Sequence, residues 1–188
     1  MKISISLLLA MVILVVIAIN SGVYNIAATE KHWAITEKII TWVRVSSIAT
    51  RAKDLQVPTL NDSSMLLTGA EHYEAMCTNC HLTPGQEPTE LAAGLYPQAP
   101  VFHRRTPITN KENRLEQAKE YFWVIKNGLK MTAMPAWGLT HDDETVWAMV
   151  AFVQKLAGMT SNEYAEFTSV RNKIHNHNHD HNGNHHHD

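Results

Sequence analysis

Both cysteines of the chain fall in one motif, Cys77-Thr78-Asn79-Cys80-His81. Thiols three residues apart on a helical turn share a face, so each can add to one vinyl group of a single porphyrin. The adjacent imidazole of His81 then reaches the iron. The spacing therefore implies one haem c held covalently through Cys77 and Cys80, with His81 as an axial ligand to the metal. Two other chemistries share Cys-x-x-Cys. A reactive dithiol usually opens a helix within an α/β pattern, and no such pattern follows here. A tetrahedral zinc site needs two further ligands at regular spacing, and His72 and His103 do not form such a pair.

The elements that must position this motif read as helices. Ser64 to Met76 leads into it, Tyr121 to Asn127 forms another helix closed by Gly128, and Asp142-Asp143-Glu144 opens a last helix that runs to about Leu156. The Pro- and Gly-rich stretch from Leu82 to Pro107 should be irregular and wrap the haem edge. No convincing strand is present, so the expected fold is all-α, a small helical domain around its cofactor. Upstream, Thr29 to Leu55 reads as an amphipathic helix with Trp33, Ile40 and Val43 on its apolar face. Its Arg44, Arg51 and Lys53 suit anionic headgroups, while the same face also suits packing on the chain's own domain.

The apolar run from Ile3 through Ile19 to Ile26 is broken early only by Ser4 and Ser6. It has the length of a bilayer span, which takes about 20 residues. A cleaved signal should carry a small-x-small site, and none is evident around Ile19-Asn20-Ser21-Gly22. Lys2 ahead of the run favours an inside amino end, which puts the rest in the periplasm. The expected organisation is an anchor at 1–28, an amphipathic helix and linker at 29–63, a haem domain at 64–158, an extension at 159–174 and a His-rich tail at 175–188. A formal net charge of -2 points neither to nucleic acid nor to a strongly charged substrate. The tail, His175-Asn176-His177-Asn178-His179-Asp180-His181 onward, is too polar to pack. It reads as disordered, suited to a borderline divalent metal or simply solvated.

Function turns on the second face of the iron. Gly128 to Gly138 is a loop between two helices that offers Met131 and Met134. A thioether ligand raises haem potential and saturates the iron. From about Ser64 to Leu156 the chain resembles a class I mono-haem cytochrome c. In that family a Met-Pro loop carries the axial methionine, which matches Met134 of Met134-Pro135, with Met131 as the competitor. The resemblance also implies Gly69 and Tyr73 packed against Trp147 or Phe152, and a loop proline carbonyl, at Pro100 or else Pro97, accepting the free N–H of His81. Trp123 and Trp137 are candidates for lining the haem or for ordinary core. The order of segments is similar to membrane-bound members of the group.

The implied function is a tethered electron carrier in the periplasmic respiratory chain of a bacterium, at its cytoplasmic (inner) membrane. Single electrons would pass between a dehydrogenase or quinol-oxidising complex and a terminal oxidase or other acceptor, with no catalytic side chain and no enzyme activity. Alternatives are a cytochrome subunit of a larger oxidoreductase complex, or an open-iron enzyme or sensor with His72, His103 or His141 assisting proton transfer.

Overall fold

The computed structural model describes residues 2–169, with side chains from residue 5. The His-rich tail at 175–188 lies outside the described residues. The chain divides into two compact units, Met1–Trp42 and Val43–Asp188. The described residues are helical and contain no strand, as the sequence leads one to expect.

In the first unit, α1 (Lys2–Asn20) is apolar on all sides, and its side chains from Ile5 to Ile19 are exposed. Among the described residues no helix is long and apolar enough to cross a membrane. The helix stops at its polar end. Asn20 Nδ2 donates to Val16 O at 2.8 Å, Ser21 Oγ donates to Ala18 O at 2.8 Å, and Gly22 turns the chain at φ +65. Residues 21–28 therefore add no helical length. The next helix starts later than Thr29. Tyr24 packs edge-on to Trp33 at 4.9 Å and bonds His32 Nδ1 through its hydroxyl at 2.6 Å, and this turn delays α2 to Ala34–Ala52.

The second unit is built on α3 (Ser63–Met76), α6 (Lys111–Asn127) and α7 (Asp143–Leu156), with the short helices α4 (Thr78–His81) and α5 (Glu90–Gly94) between the first two. A side-chain acceptor starts each long helix: Asp62 accepts from Ser64 N and Met65 N, Asn110 from Asn113 N, and Asp142 from Thr145 N. α7 is the centre. On one side it shares a core with α3, comprising Ala70, Tyr73, Phe102, Phe152, Val153 and Leu156. On the other it shares a core with α6, comprising Ala118, Phe122, Ile125, Val146, Trp147 and Val150.

Gly69 is where α3 crosses α7. A Cβ there would collide with Ala148 O and come within 2.9 Å of Phe152 Cβ. Tyr73 packs edge-on to Phe152 at 5.5 Å, whereas Trp147 turns to the other core and stacks on Phe122 at 4.1 Å. α6 begins ten residues ahead of its expected start at Tyr121. The expected boundary at 158 also moves, because Met159 and Tyr164 are buried in the Phe152 cluster and residues 161–169 form a further helix, α8.

Candidate haem-attachment site

Cys77 ends α3 and starts α4. Its N–H donates to Tyr73 O at 2.9 Å while its own carbonyl accepts from Cys80 N at 3.2 Å and His81 N at 2.8 Å. Cys77, Cys80 and His81 thus share a single turn. The turn sits where the two cores meet, with Met76 packed on the α6/α7 cluster and Cys77 on the α3/α7 cluster. Leu82 leaves the turn at φ 60, a region that disfavours side chains other than glycine. It is buried, 2% exposed, and Tyr73 Oη donates to its carbonyl at 2.7 Å. Thr89 adds a second clasp, donating to Asn79 O at 2.5 Å while its hydroxyl caps α5 at Ala92 N.

Both cysteines are free thiols. Burial, with a smaller contribution from Cys80, pushes the Cys77 thiol up to about 12. A disulfide-exchange centre needs the opposite, a lowered pKa that yields thiolate, so the burial of Cys77 speaks against the dithiol reading.

His81 Nδ1 lies 2.8 Å from Pro100 O. A carbonyl can only accept, so Nδ1 carries the proton and Nε2 keeps its lone pair for a metal. Burial lowers the imidazole pKa, the bond to Pro100 opposes this, and the Arg105 charge lowers it further. The neutral, ligating form is therefore favoured. The ring stacks on Phe102 at 4.7 Å, and Arg105 lies over the other aromatics of the site, 5.5 Å from the Phe102 centroid and 5.9 Å from that of Tyr121. Arg105 Nη1 also donates to Tyr121 Oη at 2.6 Å. Phe102, Arg105 and Tyr121 have no motif spacing that marks them in the sequence. Only the folded loop brings them to His81.

The methionine loop is closed by its own backbone. Gly128 ends α6 at φ +66, and a Cβ there would come within 2.8 Å of Met134 O and Ala136 N. Leu129 N donates to Met134 O at 3.1 Å, and Thr132 Oγ1 receives Met134 N at 3.1 Å while donating to Leu129 O at 2.8 Å. The two methionines fare differently. Met134 packs on the cluster of Phe122, Ile125 and Trp147, whereas Met131 is 90% exposed. Trp137 joins the same cluster, and Trp123 is half-buried on α6 outside it. Of the three other histidines considered, His103 lies in the loop that carries Pro100, and its carbonyl accepts from Gly158 N at 3.1 Å. His72 and His141 pack on each other.

Two thiols on one turn, an imidazole whose Nε2 keeps its lone pair and a thioether in apolar surroundings are a donor set that fits a covalently held haem. The family model described as "Cytochrome C oxidase, cbb3-type, subunit III" matches residues 64–153. A comparison with curated proteins finds no match.

Proposed function

With residues 64–153 a mono-haem c-type cytochrome domain that serves haem-based electron transfer, we propose that the protein carries single electrons in a respiratory chain at the outer face of a bacterial cytoplasmic membrane. When bound, haem c supplies a one-electron ferric/ferrous couple. The residues of the chain do the rest. Cys77 and Cys80 would hold the group, and His81 would ligate the iron, its ring oriented by Pro100 O and its neutral form favoured by burial and Arg105. Met134 would be the further iron ligand, and its sulfur would favour the ferrous state and keep small ligands out. No acid, base or nucleophile of the chain is called on.

The observation that carries this reading is the division of labour between the two methionines, one solvent-exposed and one packed beside Trp137 and Phe122. A thioether held in that apolar loop supports a saturated iron, and a saturated iron supports a carrier over an open-site enzyme. The test is binding of carbon monoxide to the reduced protein. Its exclusion from the native protein and admission by Met134→Ala is expected, and ready binding to the native protein would overturn the reading.

Membrane association rests on α1. Its apolar side chains from Ile5 to Ile19 are exposed, more uncovered apolar surface than a water-facing helix ordinarily shows. Lys2 at its start supports a cytoplasmic amino end and a periplasmic haem domain. A second reading, a cytochrome subunit of a terminal oxidase, is favoured by the matching family, that of subunit III of cbb3-type cytochrome c oxidase. Copurification of a larger complex distinguishes it from a free carrier. The histidines of the tail would bind a divalent metal.

A further inference from the structure

His72 on α3 and His141 in the turn before α7 lie against each other, with ring centroids 5.1 Å apart and ring planes at 88°. Neither belongs to the attachment motif or the methionine loop. Ligand geometry gives that spacing a meaning. A zinc–imidazole bond of about 2.0–2.1 Å puts the ring centre about 3.2 Å from the ion, and two such rings at a tetrahedral angle have centres about 5.2 Å apart. The centroid spacing of the observed pair matches that arrangement.

His141 is also oriented as a ligand is. Its Nδ1 lies 3.2 Å from Trp137 O and 2.9 Å from Thr140 Oγ1. The carbonyl requires a proton on Nδ1, which leaves the lone pair on Nε2, and a hydrogen bond from the second ring nitrogen to a carbonyl is what generally orients a metal-binding histidine. His72 is half-buried. Burial and the neighbouring His141 lower its pKa, against the opposing pull of Glu71 and Asp142, so its neutral form, the one that binds metal, is favoured. Those two carboxylates contribute negative potential that suits a cation. Asp142 Oδ1 already accepts Thr145 N at 2.8 Å as the cap of α7.

We propose that His72 and His141 form a binding site for a borderline divalent cation such as Zn²⁺, Cu²⁺ or Ni²⁺, with water completing the coordination. Among the described residues no third His, Cys, Asp or Glu joins them, so this is an exchangeable two-imidazole site and not a closed structural one. An ion held there clips α3, which leads into the haem motif, to the start of α7.

The test is calorimetric titration of Zn²⁺ into full-length holoprotein whose tail histidines, His175 to His187, are replaced by asparagine. A single equivalent should bind, and His72→Gln and His141→Gln should each abolish it while retaining the haem spectrum of a folded domain. Absence of zinc binding in the tail variant overturns the proposal. So does undiminished binding after either glutamine substitution. Should one substitution prevent folding, the other decides.

Discussion

Tyr73 Oη donates to Leu82 O across 2.7 Å, tying α3 to the residue that follows His81. Both partners are buried, and Leu82 sits at φ 60. The bond holds a strained turn in place right beside His81, so Tyr73 does more than fill space against Phe152.

Tyr73→Phe should keep the aromatic packing and orphan the Leu82 carbonyl. A buried acceptor without a partner costs about 1–3 kcal/mol, which denaturant unfolding reads as a lower midpoint with an unchanged slope. An unaltered midpoint would mean that the hydroxyl does not hold this turn.

Gly69→Ala should destabilise strongly, because the new methyl meets Ala148 O and Phe152 at the α3/α7 crossing. Overpacking of this kind costs about 1–3 kcal/mol or more. Gly94→Ala, where nothing lies within 4 Å, is the control and should change thermal stability little. Equal effects of the two would contradict the crossing.

Acid should weaken the fold in two stages. His72, His81 and His103 all have folded pKa values below the free imidazole value of about 6.5, with burial the first cause in each. The unfolded chain therefore binds protons that the native one refuses, and stability falls as pH drops through that unfolded value. The capping carboxylates Asp62, Asp142 and Glu163 are held low by hydrogen bonds to the hydroxyls and backbone N–H groups they cap. Their contribution is present above the free carboxylate value of about 4 and is lost as pH falls through their lower folded values. Unfolding midpoints should drop between pH 7 and pH 5 and again below pH 4. A flat profile between pH 7 and pH 5 would contradict the histidine assignment.

What was legible in the sequence was whatever leaves a local mark. Cys77 to His81 declares itself by spacing, and α7 by the cap Asp142 and the run Val146 to Val153. Between Lys111 and Glu120 the mark is missing, since Ala118 is the one buried residue there and helix propensity with the Asn110 cap replaces apolar periodicity. Arg105 over Phe102 and Tyr121 was invisible for another reason. A cation over two rings from different segments is created by tertiary packing and has no spacing to detect. The His72–His141 pair is of the same kind, as its members lie on separate elements.

The most direct test of His81/Met134 ligation is the optical spectrum of the oxidised holoprotein in the far red, where iron–thioether charge transfer absorbs. The band should be present in the native protein, unchanged in Met131→Ala and lost in Met134→Ala together with a fall in reduction potential. Its absence from the native protein, or its survival in Met134→Ala, would contradict the assignment of Met134 as the second iron ligand and with it the saturated electron carrier.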